Sequence, residues 1–416
     1  MLRQPLTSLV CGGLLLASAA LIDSRAAAEN LACPSDPQTS FIVQSSCLTS
    51  AGAPAGIQAK PCLPSAPGVP LAADARTVEV SICSKALKRV VGVRVLLPKN
   101  IYSEPLSRSP TLYLLHGANT SSSLISEGDY RDWTNNTTVE QTSYRTNAFV
   151  VTPEGGSIGW YSDWRSTPTA IINWSPKPFA QNWETHFFNE VIPLIDAQFA
   201  NNGQRVIAGL SMGGMGAVSF AARGPQFHGI SFRAAASFSG DLETQKNYVI
   251  PEGSLAIKGL NSYALWGDPT SHVAGAQNWS EHDPIQNVTK LVDLPLWIGA
   301  GNGQNPSNAT DIDAVEVGAW YTSTDFANAQ IAANNRENAL RASQGNPTQV
   351  KGYVVRDMGS INNLSAGCAG QHKWPAWDLE LKRAWAFLDA HLTAAPGVVP
   401  PASGLQPVPC GQPITP

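Results

Sequence analysis

Charge is scarce in this chain. Of its 416 residues, 14% are Asp, Glu, Lys or Arg, and the formal net charge is only -4. No basic block exists to neutralise a row of phosphates, so nucleic acid is not an expected partner. The spacings C-x-x-C and H-E-x-x-H are missing as well. With them go the common zinc sites, and neither a metal nor a cofactor is expected. No internal repeat is visible, which removes solenoids and propellers. The apolar run Leu9–Ile22 is short for a membrane-spanning helix. It follows Arg3 and precedes Ala26-Ala27-Ala28, the pattern of an export signal over residues 1–28. A secreted or cell-envelope location with no transmembrane anchor is expected.

Cys11 lies inside that signal. The other six of the seven cysteines are Cys33, Cys47, Cys62, Cys83, Cys368 and Cys410. An even number in an exported chain predicts disulfides, although spacing does not choose the pairing. Residues 29–75 hold three of these cysteines and are rich in Pro, Ala and Ser. They read as an irregular extension stapled onto a body at 76–394, and 395–416 reads as an extended tail.

Apolar residues are plentiful, at 43%, with twelve Trp, enough for a sizeable core. "TVEVSIC" and "RVVGVRVLLP" predict a hairpin. "TLYLLHG" (111–117), "AFVVTPEGG" (148–156), "RVIAG" (205–209), "AAASFSG" (234–240), "LPLWIGAG" (294–301) and "VKGYVVRD" (350–357) are apolar runs suited to strands buried on both faces. Helical spacing appears over 183–199, with Pro193 inside it, after Ser211, and over 314–343 and 377–392. Residues 241–293 read as an insertion over the sheet edge. The alternation predicts an α/β fold with a mostly parallel central sheet flanked by helices.

Gly209-Leu210-Ser211-Met212-Gly213 fits G-x-S-x-G between a strand and a helix. Such a turn lifts a serine hydroxyl out of a strained backbone and leaves no room for side chains beside it. At the helix N-terminus, the N–H of Met212 can donate to a developing oxyanion. A serine nucleophile needs a base, and the chain order Ser, acid, His points to His372, in the loop before the last helix. Asp311, Asp313 and Glu316 follow the strand at 294–301, and spacing leaves the acid open among them. The second oxyanion donor is expected at the N–H of Ala118, in "LLHGAN". Trp160, Tyr161, Trp164 and Trp174 are candidates for an apolar or sugar-stacking rim, or for simple packing.

"LLHGANTSS", "YSDWRS", "NWETHFFNEVIPLI", "GLSMGG", "LWGDP", "HDPIQNVTKL", "GAGNGQN" and "HKWPAW" resemble, in the same order, motifs of the mycolyltransferases of the antigen 85 complex and their relatives. The resemblance spans about residues 77–392 and implies the α/β-hydrolase fold. It implies Ser211 as nucleophile, His372 as base and Glu316 as acid, with Met212 and Ala118 as oxyanion donors. Trp374 matches a tryptophan near the family's sugar site. His116 and Asn119 occupy positions where the family commonly carries a sugar-gripping Asp and Arg, so the resemblance implies His116, Asn119 and Trp374 as substrate-binding residues. A disaccharide would lose two strong partners there. The expected function is acyl transfer from a lipid or other acyl-ester donor to a hydroxyl acceptor, a sugar being one candidate, through an acyl-serine. The alternatives are a carboxylesterase that uses water and a non-catalytic binding protein on the same scaffold.

Overall fold

In the computed structural model of the chain, the described residues are 33, 37–48, 54–57, 76–99, 109–121, 129–169, 180–199, 201–270, 274–305, 307–359 and 370–407. The expected export signal, Trp174, Cys62, Cys368, Cys410 and the last nine residues of the tail lie outside them. No helix among the described residues is long and apolar enough to cross a membrane.

The described residues form twelve strands: β1 (Phe41–Leu48), β2 (Pro54–Ile57), β3 (Thr77–Ser84), β4 (Arg89–Leu96), β5 (Thr111–Leu115), β6 (Phe149–Pro153), β7 (Arg205–Leu210), β8 (Ala235–Phe238), β9 (Leu296–Ala300), β10 (Gln304–Asn305), β11 (Asn308–Ile312) and β12 (Val354–Met358). Ten of them make one sheet in the order β12-β9-β8-β7-β5-β6-β4-β3-β1-β2. From β6 to β12 across the sheet the strands are parallel. The β3–β4 hairpin closes it antiparallel on β6. This is the α/β-hydrolase fold, a mostly parallel sheet with helices on both faces.

The apolar runs form parallel strands because both faces are covered. Along β5, Tyr113 and Leu115 enter one core, and Leu112 and Leu114 enter the other. The first core holds the helix α1 (Met212–Phe227), part of α2 (Ala314–Ser343) and the helical segment 183–199. The second holds Trp133, Val139 and α3 (Trp374–Thr393). Within 183–199 the turn Phe187–Val191 is widened to a π-helix just ahead of Pro193. Proline has no N–H for the carbonyl four residues back, and the wider turn lets the helix continue.

Two expectations are corrected. Part of the 29–75 extension is sheet: β1 pairs antiparallel with β3, from Phe41 opposite Cys83 to Cys47 opposite Val78. The 241–293 segment covers a face instead of the sheet edge. Leu242, Leu255, Leu265, Trp266, Trp279 and Leu291 join the first core, and the turn Pro284–Leu291 packs on α1 and α2.

From β5 the chain moves outward to β6 and returns on the other side as β7. The strand order therefore reverses between β5 and β7. The carboxyl ends of those two strands frame the crevice where open α/β sheets bind ligands.

Cys33 is disulfide-bonded to Cys83, closing a span of 50 residues that contains β1 and β2. Cross-linking a loop of that size restricts the unfolded chain and contributes about 2–4 kcal/mol. Cys33→Ser is therefore expected to lower the unfolding free energy in urea by about that amount. An unchanged midpoint would show that the bond adds nothing.

Candidate active site

β7 ends at Leu210, and the next residue, Ser211, has φ 53° and ψ -122°. A non-glycine residue there stores about 1–3 kcal/mol of strain. Three backbone bonds hold it. Its N–H donates to Phe238 O of β8 (2.8 Å), and its carbonyl accepts from Gly214 N (2.9 Å) and Met215 N (3.1 Å). The glycines on either side are there for contact. A Cβ on Gly209 would stand 2.2 Å from Gly213 O, and one on Gly213 would stand 2.5 Å from the carbonyl oxygens of Leu115 and His116. β5, β7 and α1 thus meet backbone to backbone.

His372 lies in the loop before α3 and brings Nε2 to 2.7 Å from Ser211 Oγ. Its Nδ1 is 2.8 Å from Glu316 Oε2. With Nδ1–H donating to the carboxylate, Nε2 keeps its lone pair for the hydroxyl. Glu316 is fully buried in the first turn of α2. Its Oε1 accepts from Gly301 N (2.5 Å) and from Ser239 Oγ (2.8 Å).

The two other acids stand elsewhere. Asp311 is exposed and bonds Asn305 on the small hairpin. Asp313 caps α2, accepting from Val315 N and Glu316 N, and its other oxygen accepts from His372 N at 3.0 Å. One carboxylate therefore fixes both the helix that carries Glu316 and the backbone that carries the imidazole.

Sequence reasoning missed the support behind this line. Ser239 also sits at positive φ, 52°. Its hydroxyl donates to Glu316 and accepts from Trp377 Nε1 at 3.2 Å. The Trp377 ring meets His372 edge to face, with centroids 4.9 Å apart. Half-buried Trp374 stacks edgewise on Trp377 and on Trp133. Glu380 of α3 is buried near Glu316. Burial first, and then the charge of Glu316, push its pKa well above the usual carboxylate range. Glu380 is thus held toward its neutral form.

Met212 and Ala118 lie just beyond the ends of the paired strands β7 and β5, and no hydrogen bond among the described residues engages the amide of either. Asn119 is half-buried. Its N–H donates to Ser157 O (2.6 Å), and its Oδ1 accepts from Ser121. The expectation for His116 is corrected. It is 1% exposed, with both ring nitrogens engaged by backbone, and offers nothing to a substrate. Trp160, Tyr161 and Trp164 are likewise core residues and form no rim.

The Esterase family model matches residues 84–388. This chain belongs to that family. Over 297 residues it is 27% identical to diacylglycerol acyltransferase/mycolyltransferase Ag85B of Mycobacterium leprae, an alignment covering 69% of this chain and 78% of that protein. It is 28% identical over 259 residues to esterase Rv1288 of Mycobacterium tuberculosis, covering 61% of this chain and 49% of the other. Among solved structures, Mycobacterium tuberculosis MPT51 (FbpC1) matches with a TM-score of 0.51 at 20% identity, over 74% of this chain and 96% of that one. Relatives in this family include both acyltransferases and esterases, so ester chemistry is the common ground.

Two measurements test the architecture of the site. Gly213→Ala forces a Cβ against two backbone carbonyls and is expected to cost about 1–3 kcal/mol. Gly318→Ala, in α2 with open space around it, is expected to be neutral or slightly stabilising in the same melt. Equal behaviour of the two would refute the packing argument. For Glu380 the folded pKa lies above the unfolded one, so the unfolded chain gives up the proton first. Stability then falls as pH rises from the ordinary glutamate value toward the raised one. Glu380→Gln removes that loss, and its melting temperature is expected to exceed wild type by more at pH 8 than at pH 5. A gap independent of pH would mean that Glu380 is not held neutral.

Proposed function

We propose that this chain is a secreted serine acyltransferase with a Ser211–His372–Glu316 triad. The observation that carries the reading is the unbroken hydrogen-bonded line from Ser211 Oγ through the imidazole to a buried carboxylate, at the crevice where the strand order reverses. Ser211 Oγ attacks the carbonyl carbon of a donor ester, and its proton passes to His372 Nε2. The new oxyanion accepts from Met212 N–H and Ala118 N–H. As the tetrahedral centre collapses, the donor's alkoxide leaves with the proton from His372, and the acyl group stays on Ser211. An acceptor hydroxyl then attacks the acyl-serine, gives its proton to His372, and the ester product departs as Ser211 regains its hydrogen. Glu316 holds the imidazole in the tautomer this requires and stabilises the imidazolium.

The donor is a lipid or other acyl ester, and the acceptor is a hydroxyl compound. Trp374 and Asn119 are assigned to the acceptor side of the mouth. Similarity to a named acyltransferase over most of the chain favours transfer. Similarity to a named esterase supports the second reading, in which water takes the acceptor's place. The apolar run behind Arg3 supports export.

Ser211→Ala is expected to lower short-chain ester hydrolysis by about 10⁴-fold or more while the protein stays folded. An organophosphonate should add its mass to Ser211 in wild type and not in the variant. Product analysis with a lipid donor and a panel of sugars separates transfer from hydrolysis. Undiminished hydrolysis in Ser211→Ala would falsify the triad reading.

A further inference from the structure

The imidazole of His116 stands one residue before Gly117, at the root of the loop that carries the Ala118 amide. Its Nε2 accepts from Gly155 N–H at 2.8 Å. An imidazole that accepts there carries its proton on Nδ1, and Nδ1 lies 2.7 Å from Gly117 O, to which it donates. Both bonds require the neutral ring in a single tautomer.

Two more ties run between the same segments. Tyr161 Oη donates to His116 O at 3.0 Å, and Asn119 N donates to Ser157 O at 2.6 Å. The segment 155–161 on the far side is strained, since Trp160 and Tyr161 both have positive φ, 52° and 47°. It is also docked on the residue after Ser211: Trp160 N lies 3.2 Å from Met212 Sδ and donates to it. One segment therefore fixes Met212, which carries one oxyanion amide, and the 116–119 loop, which carries the other.

We propose that His116 is a positioning residue that sets the Ala118 amide against the Met212 amide by clipping its loop to Gly155. This rests on the reading of Ser211 as nucleophile. It gives the imidazole a role in transition-state stabilisation with no contact to substrate. The clip also opens in acid, because a proton on Nε2 would face the Gly155 N–H, donor against donor. Burial lowers the pKa of His116, and its bond to Gly117 O and the charges of Glu154 and Asp129 oppose that shift, with the Tyr161 ring packed alongside. The clip is therefore present above the ordinary histidine range and is lost only as pH falls through the lowered value.

The test compares wild type, His116→Leu and His116→Gln, whose Oε1 reaches about as far as Nε2. The readouts are kcat and KM for a short-chain ester and the rate of organophosphonate addition at Ser211, with folding checked by circular dichroism and melting. In His116→Leu, kcat and the addition rate are expected to fall about ten- to a hundredfold with KM nearly constant. His116→Gln should recover much of the loss. A folded His116→Leu that reacts at the wild-type rate overturns the proposal, as does a rise in KM alone, which would put the side chain on the substrate. If His116→Leu does not fold, His116→Asn replaces it. Asn keeps the short donor side but lacks the reach to Gly155, so Gln must outperform Asn, and the reverse order overturns the clip. Failure of wild type to take the adduct on Ser211 would instead overturn the nucleophile reading itself.

Discussion

At the end of β7 the backbone passes through a conformation that an L-residue adopts only when its surroundings leave no other. Three main-chain segments press together there with no side chain between them, and β8 supplies the carbonyl that ties down the Ser211 amide. Relaxing Ser211 would separate buried backbone from its partners, which costs more than the strain itself. The hydroxyl therefore stands in one place, and everything else at the site is arranged around it. α1 starts at the next residue. The β5 loop arrives beside it because β5 and β7 are paired, Leu115 opposite Gly209.

How much of this could be read from the sequence depended on how local the signal was. The strand–glycine–serine–helix run is contiguous, so Ser211 and its neighbours were legible, as were the buried parallel strands. His372 was legible through chain order, because the fold fixes which loop returns to the mouth. The acid was not. Asp311, Asp313 and Glu316 share one short stretch, and what separates them is helix phase and burial. Asp313 has the spacing of a cap and acts as one, while Glu316 comes in one helical turn later, facing inward. The resemblance pointed to Glu316, and of the three it is Glu316 whose carboxylate meets the His372 ring.

Trp160, Tyr161 and Trp164 are candidates for a rim or for packing in the sequence, and His116 falls at a sugar-gripping position of the family. They are buried because the segment after β6 folds back over α1, a contact that no local pattern encodes. β1 was hidden for a related reason. Its Ser- and Gln-containing run has little strand character of its own, and pairing with β3 creates it. Ser239 gave no signal either, since its role depends on a positive φ and two distant partners.

The distribution of charge behind His372 explains why the line of side chains is polarised. Glu316 is sealed from water, and no lysine or arginine among the described residues pairs with it. The nearby guanidinium of Arg383 is already committed to Asp357, with Nε 2.7 Å from Oδ2. Burial, and then the neighbouring carboxylates, raise the pKa of Glu380 and favour its neutral form. The Glu316 carboxylate is thus held by hydrogen-bond donors, the Gly301 amide and the Ser239 hydroxyl on Oε1 and the His372 Nδ1–H on Oε2. In the proposed mechanism its counter-ion is His372, once that ring takes the proton of Ser211. An arginine beside Glu316 would steady the resting protein and the transition state alike and would accelerate nothing. Under the proposed mechanism, leaving the carboxylate without a counter-ion until an imidazolium forms would reserve the attraction for the moment at which the barrier is crossed.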